Sequence, residues 1–239
     1  MQVEIWSDIM CPFCYIGKRR FEAGLERFAQ KEHIQIVYKS FQLDANAPKE
    51  VEYDVHDMLA SKYGMSRQEA VRMNDQVGAQ AAALGLDYHF DTMKLTNTLD
   101  AHRLLHFAAQ FGKSTDVAER LFQAYFTDSK HVGDPATLAA IGAEAGLDPE
   151  AVIAMLASDQ FAAEVQADQA EGARLGVRGV PFYVVNRKYA ISGAQSPEVF
   201  LQTLEKAWDE EHPLIVLKPV SGSDGAVCAD GVCISTDKN

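Results

Sequence analysis

Cys11-Pro12-Phe13-Cys14 sets two thiols one helical turn apart, the spacing at which a dithiol can close to a disulfide and reopen. Val3-Glu4-Ile5-Trp6-Ser7 ahead of it alternates like a strand, and Pro12 suits a first helical position. Cys11 therefore falls at a helix N-terminus, where unsatisfied N–H groups and the helix dipole favour a thiolate. In this reading Cys11 is the attacking sulfur, and Cys14, deeper in the helix, stays protonated until it resolves a mixed disulfide. A second pair, Cys228 and Cys233, closes the chain. The four sulfurs could also hold zinc, although structural zinc pairs usually sit on short knuckles rather than at the mouth of a long amphipathic helix.

The elements that must position this dithiol can be read outward from it. Tyr15, Ile16, Phe21, Leu25 and Phe28 recur at helical spacing, and Ile34 to Phe41 then reads as a second strand, giving a βαβ unit with a parallel pair. From Pro48 to Gly176 only helical patterns follow. Ala70, Met73, Val77, Ala81 and Leu84 form one stripe, and Leu99 to Phe111, Val117 to Phe126 and Phe161 to Leu175 are further amphipathic segments. Asp134-Pro135 and Asp148-Pro149 each mark a capped helix start. Phe182 to Val185 and Tyr189 to Ser192, joined at Asn186-Arg187, predict a hairpin, and Ser196-Pro197-Glu198 opens a last helix through Trp208. Past Pro219 the chain turns rich in Gly, Ser and Asp, as a flexible tail does.

The 239 residues carry a net charge of −12, 47% hydrophobic and 23% charged residues, which describes a folded globular protein without a phosphate-binding surface. No nucleic acid or membrane partner is expected: no stretch approaches the ~20 apolar residues of a membrane span, and Met1-Gln2-Val3-Glu4 does not open like a secretory signal. The expected location is the cytoplasm, where local cysteine pairs are more often redox centres or metal ligands than permanent cross-links. His102 and His106 stand at i, i+4, but no third ligand accompanies them, so no metal site is assigned.

Ser7-Asp8-Ile9-Met10-Cys11-Pro12-Phe13-Cys14-Tyr15-Ile16-Gly17, with Gly179-Val180-Pro181-Phe182 and Ser192-Gly193-Ala194-Gln195, resembles the DsbA-like thioredoxin-fold family, specifically its FrnE branch. Phe13 stands where that branch usually has Trp. The resemblance implies an α/β thioredoxin fold split by an all-helical insertion: residues 1–47 and 177–218 as the thioredoxin-like parts, 48–176 as the insertion, 219–239 as the tail. It implies a thiol-disulfide oxidoreductase, with isomerase activity also open, and a cis Val180–Pro181 bond beside the cysteines, so that Pro12, Phe13, Val180 and Pro181 would meet the substrate. Its relatives, the 2-hydroxychromene-2-carboxylate isomerases and kappa-class glutathione transferases, carry a motif like Asn97-Thr98 and Ala101-His102-Arg103, which makes Asn97, His102 and Arg103 candidate substrate contacts and a glutathione-dependent isomerase or transferase the alternative function. Helix capping by Asn97 or Thr98 is the plainer account of that segment. The partners implied are disulfide-containing proteins or small disulfides, with glutathione or a small thiol as redox partner, no permanently bound cofactor, and a monomer or homodimer. Cys228-Ala229-Asp230-Gly231-Val232-Cys233 matches a tail pair common in the branch; Asp230-Gly231 favours a turn, and both an exchanging second centre and a merely local disulfide remain open.

Overall fold

The computed structural model describes residues 1–213; the tail with Cys228 and Cys233 lies outside the described residues. Strands β1 (Gln2–Ser7) and β2 (Gln35–Ser40) flank helix α1 (Pro12–Glu26) and pair in parallel, from Gln2 against Gln35 to Ser7 against Ser40. Strands β3 (Phe182–Val185) and β4 (Tyr189–Ser192) form the expected hairpin, and β3 pairs antiparallel with β1, so the sheet order is β2-β1-β3-β4. Asn186 and Arg187 both take positive φ, 50° and 55°, the backbone that lets a two-residue turn match the twist of its strands.

Strand alternation sorts β1 onto two faces. Val3 and Ile5 join Phe21 of α1 and Phe200 and Leu204 of α9 (Pro197–Glu211) in one core. On the other face Trp6, fully buried, lies against α8 (Ala162–Arg174): a Cβ at Gly172 would stand 2.8 Å from the indole nitrogen, which donates to the Asp168 carbonyl at 2.9 Å. Helices therefore cover both faces of the sheet.

Between the two halves of the sheet run α2 (Val55–Tyr63), α3 (Arg67–Ala82), α4 (Leu99–Ala109), α5 (Ser114–Phe126), α6 (Pro135–Glu144), α7 (Pro149–Leu156) and α8, with a continuous core through Leu104, Leu121, Phe126 and Val152. The two predicted caps form, Asp134 accepting from the Thr137 amide at 2.8 Å and Asp148 from the Glu150 amide at 3.0 Å. Ser196 makes no such bond, and α9 begins on Pro197 alone. The sequence reading did not single out α2, although Val55, Met58, Leu59 and Tyr63 stand at helical spacing; Asp54 caps it and Gly64, at φ 65°, ends it.

Candidate active site

Strand β1 stops at Ser7, and a tight turn carries the chain to Cys11, whose amide donates to the Asp8 carbonyl at 3.1 Å. Helix α1 then starts on Pro12, and the Cys14 amide donates back to the Cys11 carbonyl at 3.0 Å. Both cysteines are free thiols and both are buried. Burial pushes the Cys14 thiol well above the usual range, and its hydrogen bond with Cys11 adds to this; the Ser7 hydroxyl and the Asp8 amide pull the other way without prevailing. Burial thus favours the protonated form of Cys14.

The Cys11 thiol donates to the Val180 carbonyl at 3.5 Å, and the Val180–Pro181 bond is cis. These segments are 169 residues apart in sequence. They meet because α1 has no side chain at Gly17, where a Cβ would come within 2.9 Å of the Pro181 ring and 2.7 Å of the Tyr183 hydroxyl.

Asp8, fully buried, fixes the turn from its other side. One carboxylate oxygen accepts the Leu43 amide at 2.7 Å and the other faces His102 Nε2 at 3.3 Å, so the loop after β2 and helix α4 both hold the residue whose carbonyl receives the Cys11 amide. Tyr15 ties α1 to α5: its ring stacks on Phe122 with centroids 5.1 Å apart, and its hydroxyl donates to Glu119 at 2.7 Å. Burial opposes ionisation of Glu119, but hydrogen bonds from Arg19 and Lys18 outweigh it and hold the carboxyl at about 2.

The residues expected from sequence divide clearly. Pro12, Phe13, Val180 and Pro181 surround the cysteines; Phe13 is 40% exposed, and the Pro12 carbonyl accepts from the Tyr88 hydroxyl at 2.8 Å. Asn97 ties the loop after β2 to α4, donating to the Ala45 and Ala47 carbonyls while its own oxygen accepts the Leu99 amide at 2.9 Å. Arg103 is buried, and its five donors meet Asp100 and the carbonyls of Met155, Leu156, Ser158 and Gln160, which leaves none for a substrate. That arrangement caps the C-terminal end of α7. His102 reaches the site through Asp8, while His106 turns to Ser40 and Asp168 on another side, so the two histidines share no ligand. Asp8, Ser7 and Tyr88 belong to the site without having been assigned to it from sequence. The first two stand inside the motif that drew the resemblance, and nothing local marks Tyr88.

A mixed sheet split by a helical insertion, with a dithiol at a helix start facing a cis-proline segment, defines a thioredoxin fold of the DsbA-like kind. The DSBA-like thioredoxin domain matches residues 2–205, and the chain belongs to that family. It is 41% identical to a probable DsbA oxidoreductase from Streptomyces coelicolor, whose crystal structure superposes with a TM-score of 0.83 over 99% of this chain and 100% of that one. The cytosolic disulfide reductase DsbM of Pseudomonas aeruginosa, 15% identical over 88% of this chain and all of its own, shares the fold with a TM-score of 0.61. A 2-hydroxychromene-2-carboxylate isomerase does so at 15% identity and 0.63, over 88% of this chain and 98% of its own. The uncharacterized protein YwbO of Bacillus subtilis is 25% identical over 88% of this chain and 97% of its length. Among the described residues no helix is long and apolar enough to cross a membrane.

Proposed function

We propose that this protein is a thiol-disulfide oxidoreductase in which Cys11 attacks a substrate disulfide and Cys14 resolves the mixed disulfide. The observation that carries this reading is the contrast between the two sulfurs. Cys11 is the residue on which α1 begins and touches the segment of the cis Val180–Pro181 bond, while Cys14 lies one turn inside the helix, where burial pushes its thiol up. Attack by the Cys11 thiolate breaks the substrate S–S bond and releases one thiol. Cys14 then gives up its proton and attacks the Cys11 sulfur, releasing the second thiol as the Cys11–Cys14 disulfide forms. The Val180 backbone, already in contact with the Cys11 sulfur, is placed to align an incoming chain, with Pro12, Pro181 and Phe13 around it.

Cys228 and Cys233 form, in this account, a second pair able to exchange with the first. Glutathione or a small thiol is the proposed electron donor, and the proposed location is the cytoplasm; one structural relative is by name a cytosolic disulfide reductase, and another structure of it contains glutathione. The test is reduction of insulin with dithiothreitol as donor, run beside a glutathione-conjugation assay. Insulin reduction without conjugation is expected; conjugation that survives Cys14→Ser would instead favour a glutathione-dependent isomerase or transferase.

A further inference from the structure

The Tyr183 side chain is fully buried, yet its hydroxyl has no hydrogen-bond partner among the described residues. Leaving such a group unpaired is costly. Packing does not require it, because the ring alone meets Phe21 and Phe200 and a phenylalanine would fill the same space. The sheet sets where the hydroxyl lies. Ile5 of β1 pairs with Tyr183 of β3, and Ser7 follows Ile5 by two residues, so all three rise from the face that α1 covers. The hydroxyl stands 2.7 Å from the position a Cβ of Gly17 would take, and the other atoms crowding that position are carbons of Pro181 and Ala194, which accept no hydrogen bond. Gly17 comes three residues after Cys14, so the two positions are neighbours on one face of α1, with Cβ sites about 5–6 Å apart.

Cys14 is the group in this region that comes to need donors. Burial favours its protonated form in the resting dithiol, whereas resolution requires its thiolate in the same dry surroundings. The Ser7 hydroxyl and the Asp8 amide already reach its sulfur. A further donor that is unpaired at rest and gains a partner only when the charge appears lowers a barrier instead of stabilising the resting state. Burial first, and then the neighbouring Cys14 sulfur, push the Tyr183 phenol well above its ordinary range, so it stays a donor beside a thiolate. Of the other phenols near the sulfurs, Tyr88 already donates to the Pro12 carbonyl at 2.8 Å, and Tyr38 lies toward the Glu22 and Glu119 carboxylates.

We propose that the Tyr183 hydroxyl donates a hydrogen bond to the Cys14 thiolate as the mixed disulfide resolves, and so sets the rate of that step. This rests on Cys11 attacking first and Cys14 resolving. In the step Cys14 loses its proton and its sulfur attacks the Cys11 sulfur; the bond from Cys11 to the substrate half breaks, and that half leaves as a thiolate that takes up a proton.

The aromatic disulfide dithiobis(nitrobenzoate) separates the two steps, because each releases one coloured thiolate, the first on attack by Cys11 and the second on resolution by Cys14. Every sample carries Cys228→Ser and Cys233→Ser so that only Cys14 can resolve. In Tyr183→Phe the first release is expected at the parent rate and the second to slow roughly ten-fold or more, as for loss of a hydrogen bond to a charged group. The pH profile of the second release is expected to move to higher pH, since Cys14 then ionises less readily. The urea midpoint should not fall, because the resting hydroxyl has no partner to lose. Tyr125→Phe is the control: it also removes a fully buried hydroxyl unpartnered among the described residues, but one near Asp8, and should leave both releases unchanged. A second measurement keeps Tyr183 in place. In Cys11→Ser protein labelled with ¹³C at the tyrosine Cζ, the Tyr183 signal is expected to move as Cys14 titrates, and to stay still when Cys14 is also changed to Ser. An unchanged second release in Tyr183→Phe, equal slowing in Tyr125→Phe, or a Tyr183 signal indifferent to Cys14 would overturn the proposal. A parent protein that gives no first release would instead refute the reading of Cys11 on which it rests.

Discussion

Alanine at Gly17 is expected to weaken the protein although alanine is the better helix former. In a helix interior Gly→Ala ordinarily contributes about 1 kcal/mol of stability. At Gly17 the new methyl would meet the Tyr183 hydroxyl at 2.7 Å and the Pro181 ring at 2.9 Å. Neither can yield easily. The Tyr183 ring is fully buried with Phe200 4.7 Å and Phe21 5.6 Å away, and the Pro181 carbonyl is held by the Gly193 amide at 2.8 Å. Overpacking a site of this kind costs about 1–3 kcal/mol, so the net loss is expected at about 1 kcal/mol, or roughly 2–4 °C in midpoint for a protein of this size. Gly78 supplies the control. It also sits inside a helix, α3, but a methyl there meets only Phe90, at an ordinary 3.8 Å, so Gly78→Ala is expected to stabilise by about 0.5–1 kcal/mol. Urea denaturation of both variants measures the difference. The Gly17 variant is also expected to exchange disulfides several-fold more slowly, since Pro181 and the Val180 carbonyl must move relative to Cys11. A Gly17→Ala protein as stable as Gly78→Ala, with an unchanged exchange rate, would refute the close-packing argument.

Glu119→Gln should lower stability at neutral pH by about 1–2 kcal/mol, the drop from 4.5 to about 2 corresponding to at most about 3 kcal/mol before solvent screening. Because the folded carboxyl titrates below its unfolded value, that contribution is present above about pH 4.5 and lost as the pH falls toward 2, so urea midpoints of variant and parent should converge in acid; a constant gap would contradict it. Asp8→Ala leaves the Leu43 amide and the His102 ring without their buried acceptor and is expected to cost about 2–5 kcal/mol, with slower alkylation of Cys11 in whatever fraction stays folded. Arg103→Lys, which cannot supply five donors in a fork, should destabilise by about 1–3 kcal/mol without changing the apparent affinity for a disulfide substrate; a selective rise in KM would return Arg103 to the binding site.

How much of this could be read from sequence depends on how local each cause is. The dithiol at a helix start, the βαβ unit and the hairpin turn at Asn186-Arg187 were legible because each follows from residues within a few positions of one another. The joining of β1 to β3 and the cis bond came only through the resemblance, since neither periodicity nor caps say which strands pair across 180 residues. Asp8 meeting His102, Tyr15 meeting Glu119 and Tyr88 meeting the Pro12 carbonyl are contacts across 94, 104 and 76 residues that no spacing rule announces. Arg103 shows the opposite hazard. A charged residue in a motif invites a ligand, yet here Asp100 and the open end of α7 together take every donor it has.

The division of labour between the cysteines is most directly tested by mass mapping of Cys14→Ser, with Cys228 and Cys233 also changed to Ser so that the tail pair cannot resolve the adduct, after reaction with a disulfide substrate. A persistent mixed disulfide on Cys11, with no adduct when Cys11 is the residue changed to Ser, is the predicted result. Continued turnover in that variant, or a Cys11 that stays free of adduct, would contradict it.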